Sequence, residues 1–262
     1  MSKWWDVSWN PVTGCTPISE GCEHCYAKRL VETRFADNDK ATYHDFSLRV
    51  HQDKLGQYFG GFSKRVFCGS MTDLFQKELS PAVVLNILAN IRRQPLHLFI
   101  ICTKRADRMR RIMSEYARWN GVIENLVLMV TAENQARFDE RTAELFQTPA
   151  AYRAVSIEPL LGRLKIFNRD GQDKQDKTNL DWVIVGGESG PGARNNEPEW
   201  FDEIYQDCVT HGIPFFFKQR GSAISKEFHG YSEWETVRQF PKFPREYTRT
   251  ERTKTGKSNE KN

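Results

Sequence analysis

The sequence has no apolar run approaching the ~18–20 residues that a transmembrane helix requires. Its opening, MSKWWDVSWNPVTGC, lacks the apolar centre of a signal peptide. Neither a membrane span nor secretion is expected, and the chain reads as cytoplasmic. No GxxxxGKS/T element occurs, and no glycine-rich fingerprint follows a strand into a helix, which excludes a P-loop and a Rossmann dinucleotide site. Internal repeats at a 20–50-residue period are missing as well. Excess charge is scarce outside one end. The net charge is +4, and residues 245–262 hold six Lys or Arg against three Asp or Glu. The body of the chain is therefore nearly neutral, and 245–262 reads as a basic, disordered tail.

What is present describes a globular protein. Of 262 residues, 39% are hydrophobic and 27% charged, and Trp, Tyr and Phe number 7, 8 and 17. That is enough for a single domain over 1–244 with a sizeable core. Near-continuous Val, Ile and Phe runs predict strands at 4–9, 65–69, 97–102, 126–131, 152–157, 181–186 and 213–218. Helical patterns fall between them at 24–36, 81–94, 105–118, 135–147 and 198–211, with Ser80-Pro81 as a helix start and Gly212 as a stop. This alternation predicts an α/β fold, a partial (β/α) TIM-like barrel of six to seven parallel strands. Residues 37–63 break the pattern and read as an insertion beside the barrel mouth, in which Tyr43, Phe46, Tyr58 and Phe59 either stack on a base or pack on the barrel. Residues 168–179 read as a polar, exposed loop.

Active sites of such barrels lie at the C-terminal ends of the strands, and here every strand ends in polar residues. Ser70 and Asp73 follow the second; Thr103, Lys104 and Arg105 the third; Thr131, Glu133 and Asn134 the fourth. Ser156 and Glu158 end the fifth, Glu188, Ser189 and Arg194 follow the sixth, and Lys218 and Gln219 end the seventh. Acids and ammonium groups together suit a zwitterionic or phosphorylated ligand. Gly186, Gly187 and Gly190 either admit a ligand close to the backbone or form a tight turn.

The cysteines are placed unevenly. Cys68, Cys102 and Cys208 lie in apolar patterns and read as small buried hydrophobes. Cys15, Cys22 and Cys25 lie together after the first strand, and three thiols in a reducing compartment are most simply metal ligands. Structural zinc needs a fourth ligand, for which His24 or His44 is at hand. An iron–sulfur cluster held by three thiolates keeps one iron open.

The segments WNPVTGCTPISEGCEHCYA, SMTDLF, TKR, VSIEPLLG, VIVGGESGPGAR and PFFFKQRG resemble an uncharacterised, often phage-encoded three-cysteine family of the radical SAM superfamily, from Trp9 to about Gly221. The resemblance implies that Cys15, Cys22 and Cys25 bind a [4Fe–4S] cluster whose open iron takes S-adenosyl-L-methionine. It also implies a 5′-deoxyadenosyl radical for hydrogen abstraction and an external electron donor such as a flavodoxin or ferredoxin. The first cysteine spacer is six residues where the superfamily usually has three, and the Gly-Gly-Glu element follows the sixth strand, not the second. By position, Ser70, Thr131, Glu133, Ser156 and Glu158 are the candidate contacts to S-adenosylmethionine, and Lys104, Glu188 and Lys218 the candidate catalytic groups. The phage context makes a nucleobase or nucleic acid an attractive substrate. A zinc-stabilised binding protein and a nucleic-acid-binding protein stay open as alternatives.

Overall fold

The computed structural model describes residues 3–35, 45–167, 180–223 and 232–241. Nine strands are found among them: β1 (Val7–Trp9), β2 (Val12–Thr13), β3 (Arg49–Val50), β4 (Arg65–Cys68), β5 (Leu98–Thr103), β6 (Leu126–Thr131), β7 (Tyr152–Ile157), β8 (Trp182–Gly186) and β9 (Phe215–Gln219). Seven form one sheet in the order β1-β4-β5-β6-β7-β8-β9. Every neighbouring pair is parallel. β1 and β9 are the two edges, so the curled sheet stays open as a seven-stranded partial barrel, in line with the α/β class expected.

The connections run through α3 (Pro81–Arg92), α4 (Ala106–Asn120), α5 (Gln135–Phe146) and α6 (Pro198–His211); two shorter helices are α1 (Tyr26–Leu30) and α2 (Gln52–Leu55). Their starts and stops follow local chemistry. Pro81 and Pro198 supply the preset φ of a first helical position. The Asn134 side chain caps α5 by accepting from the Arg137 N–H at 3.1 Å. Gly212 ends α6 at φ +66°, a left-handed conformation that suits glycine.

Side chains alternate across the sheet, and both faces are buried. Val66, Phe99, Ile101, Leu128, Val130, Val155 and Val183 face the helices, packing with Val84, Leu88, Met109, Phe138 and Ile204. Phe67, Leu98, Ile100, Met129, Ala154, Trp182, Ile184 and Phe216 line the inner, concave side. That side is filled from both ends of the described chain. Trp4 packs on Phe67 at 4.7 Å and on Trp182 at 6.0 Å, while Phe240 packs on Trp182 and Phe216, each at 5.4 Å. The Trp182 indole donates to the carbonyl of Gln239 at 3.0 Å. Trp182 opens β8, so these rings floor the barrel at the N-terminal ends of its strands.

The described part of the insertion, 45–63, which carries α2, covers β1. β3 pairs antiparallel with β2, the Trp9 indole donates to the Lys54 carbonyl at 2.9 Å, and Phe59 is buried against Trp9 and Phe99. Phe46 packs toward Ala27, Val31 and Met71. Packing thus accounts for both rings, whereas Tyr58 is exposed. Tyr43, His44, the loop 168–179 and the tail 245–262 lie outside the described residues. A further segment, 232–241, closes the β9 edge: the Phe217 N–H donates to Val237 O at 3.0 Å, and Trp234 stacks on Phe201 at 5.1 Å.

Candidate functional site

Strand alternation sets the character of the concave side. Outward from the floor, β5 presents Leu98, Ile100 and Cys102 before Lys104; β6 presents Val127, Met129 and Thr131 before Glu133; β7 presents Ala154 and Ser156 before Glu158. The polar groups expected at the strand ends therefore gather at one mouth. They fall into five connected groups, one of them Asp73 with Thr103 at 2.6 Å and Arg105 at 2.9 Å. Lys218 Nζ lies 2.7 Å from Glu158 Oε1, and the Ser156 hydroxyl donates to Glu158 Oε2 at 3.0 Å. Arg141 donates to Glu133 Oε2 at 2.9 Å and to the Thr131 hydroxyl at 3.2 Å, with Lys104 Nζ 3.5 Å from Glu133 Oε1. Ser70 exchanges hydrogen bonds with the Asn10 side chain at 3.0 and 3.1 Å, and the Tyr26 hydroxyl donates to the Ser70 carbonyl. Glu188 meets His24 Nδ1 at 3.0 Å and Arg194 at 2.6 Å.

The loop carrying the three cysteines runs from β2 to α1 across this mouth. Cys15, Cys22 and Cys25 are free and only partly buried. Arg105 reaches it from the end of β5, with Nη1 3.6 Å from Cys15 Sγ and Nη2 donating to Thr16 O at 2.7 Å. From the end of β6, Glu133 accepts the Ser19 hydroxyl at 2.7 Å, and Asn134 donates to Glu20. From beyond β8, Arg194 donates to Glu20 O and to Glu23, both at 2.9 Å.

Electrostatics separate the thiols. Burial and the Asp73 carboxylate push Cys15 up to about 11, against the pull of Arg105, with a further upward push from Cys22. The surroundings of Cys15 therefore favour its neutral thiol over the thiolate. Burial alone carries Cys68 far above the ordinary range, and burial with Asp207 does the same for Cys208; both are core residues, as expected. Cys102 departs from that expectation. It is only partly buried because its strand position faces the concave side near the mouth, where burial pushes it up to about 12 despite Lys104 and Lys218. For Glu188, burial pushes upward but is outweighed by hydrogen bonds from Arg194 and His24, which bring the carboxyl down to about 2.

The space beside Gly186, Gly187 and Gly190 holds the Glu158 carboxylate, Arg220 with Asn196, and the Arg29 guanidinium respectively, so of the two readings of these glycines the tight turn fits the contacts. Glu133, a candidate contact to S-adenosylmethionine, is 0% exposed and lies against Arg141, Lys104 and Ser19. Among the described residues no three His, Cys, Asp or Glu side chains gather closely enough for a single metal ion, and His24 turns Nδ1 to Glu188.

A family model described as a protein of unknown function (DUF5131) matches residues 2–260. The chain belongs to this family. No curated protein matches the sequence. Two solved structures are similar in shape. One is a cysteine-to-alanine mutant of spore photoproduct lyase, with 12% identity and a TM-score of 0.47 over 83% of this chain and 76% of that one. The other is spore photoproduct lyase complexed with dinucleoside spore photoproduct, with 11% identity and a TM-score of 0.46 over the same shares.

Several residues that build the mouth of this family member carry no local signal in sequence. Arg141 lies inside α5, where it reads as an ordinary helix cation, yet its guanidinium is buried on Glu133. Ser19 between the cysteines reads as a loop serine. Arg105 and Arg194 stand near strand ends, where position marks them but not their partners.

Proposed function

We propose that the protein is a radical S-adenosylmethionine enzyme. The observation that carries the reading is three free, partly exposed thiols of one loop at the C-terminal mouth of a parallel partial barrel, which among the described residues do not close on a single ion. Thiols spread in this way suit a [4Fe–4S] cluster, in which each binds a different iron and one iron stays open, better than a single tetrahedral zinc. When bound, cluster and S-adenosylmethionine supply one-electron cleavage of a sulfonium to methionine and a 5′-deoxyadenosyl radical.

The chain's own groups serve this chemistry by position. Cys15, Cys22 and Cys25 are the proposed iron ligands. Glu158 and Lys218, 2.7 Å apart, offer an acceptor and a donor to the ammonium and carboxylate of a zwitterion, with Ser156 on Glu158 and Thr131 beside Ser156 in register. Ser70 at the end of β4 is a further candidate contact. Lys104 and Lys218 stay candidates for proton handling on the substrate. Tyr26, partly exposed at the mouth, presents a ring on which a nucleobase can stack, so a nucleobase or nucleic acid is the proposed substrate class. A flavodoxin or ferredoxin is the proposed electron donor.

The full chain, reconstituted anaerobically and given reductant and S-adenosylmethionine, is expected to release 5′-deoxyadenosine and methionine. Cys22→Ala is expected to hold no iron and release neither, while Cys68→Ala and Cys208→Ala keep iron. A wild-type protein that takes up zinc and no iron under these conditions sinks the proposal.

A further inference from the structure

We infer that Asp73, Glu133 and Glu188 are positioning residues for the cysteine loop, one acid standing behind each cysteine. They follow alternate strands, β4, β6 and β8, and their side chains are 9%, 0% and 4% exposed. Asp73 Oδ2 accepts Arg105 Nη1 at 2.9 Å, and the same nitrogen lies 3.6 Å from Cys15 Sγ. Glu133 Oε1 accepts the Ser19 hydroxyl, whose oxygen is 3.8 Å from Cys22 Sγ. Glu188 Oε2 lies 3.0 Å from His24 Nδ1, one residue before Cys25.

Each acid is itself fixed from behind. Asp73 accepts the Thr103 hydroxyl at 2.6 Å and the Lys104 N–H at 3.0 Å, Glu133 is held by Arg141, and Glu188 by Arg194. A rigid acid holding a loop side chain transmits the geometry of the sheet to the thiols, which is what a multi-thiolate site needs from the groups around it. Gly21 shows how close the fit is: a Cβ there would overlap the Glu133 carboxylate. The loop can cross β6 at this height only because residue 21 has no side chain.

The inference rests on the reading of Cys15, Cys22 and Cys25 as cluster ligands, and its test separates the two. Ser19→Ala, Gly21→Ala and Arg105→Gln are made in the full chain, leaving the buried acids intact. Two quantities are read beside the melting curve: cluster retention against a chelator with its electron-spin spectrum, and amide exchange across 19–23 in iron-free protein, where the Cys22 N–H donates to Ser19 O at 2.9 Å. Retention is expected to fall by about 10–100-fold and loop exchange to quicken, with melting nearly unchanged. Ser19→Thr, which keeps the hydroxyl, should restore both. If wild type takes up no iron, the cluster reading falls and exchange alone decides the role of the acids. Wild-type exchange and retention in Ser19→Ala and Gly21→Ala would overturn the inference.

Discussion

At the scale of single residues, the mouth is governed by which carboxylates are already spoken for. Glu188 is held down to about 2 by Arg194 and His24 against its burial. A carboxyl depressed in the folded state contributes stability above its unfolded value near 4.5, and that contribution drains away as pH falls through the folded value. Arg194→Gln should therefore be less stable than wild type at pH 7, and the gap should narrow between pH 4.5 and 2; urea midpoints taken at stepped pH measure it. Glu158 differs because its partner Lys218 sits at the open mouth. Glu158→Gln is expected to weaken S-adenosylmethionine binding by about tenfold, the ~1.4 kcal/mol step, with iron content unchanged. Calorimetric titration reads this directly, and unaltered affinity removes Glu158 from the site. The three cysteines were legible in sequence because thiols cluster there and nowhere else. Their supports were not, since the pairing of Ser19 with Glu133 spans 114 positions and only the assembled sheet brings the two together.

At the scale of elements, sequence reading succeeded where burial is two-sided. LFIIC, LVLMV and WVIV announce central strands because every residue in them meets an apolar face, and β5, β6 and β8 lie where those runs predict. It failed for β2 and β3, two residues each, whose existence depends on a pairing that local pattern does not encode. The segment 232–241 was invisible for the same reason: EWETVRQF has no period, and its order comes from docking Trp234 between Phe201 and Phe217. Trp234→Ala is accordingly expected to cost about 3–5 kcal/mol in denaturant unfolding, a large share of a domain's ~5–15 kcal/mol. A cost below about 1 kcal/mol would mean that the segment is an ornament on the β9 edge. The expected strand 4–9 shortens to Val7–Trp9 because Trp4 leaves the ladder to enter the floor.

At the scale of the whole molecule, the core and mouth side chains among the described residues all precede Gln239, whereas residues 245–262 add charge without apolar periodicity. A chain ending at Pro244 is expected to fold and bind iron like the full chain; loss of iron on that truncation would show that the tail docks on the barrel. The floor of Trp4, Trp182, Phe216 and Phe240 has a consequence for traffic. Among the described residues these rings stopper one end of the barrel, so a strand of nucleic acid is not expected to thread it from mouth to floor. Whatever reacts must dip in from the doorway and back out again. Occupants of such a vessel leave in the reverse of the order in which they arrived, so the deepest guest enters first, and initial-rate kinetics should show compulsory rather than random addition.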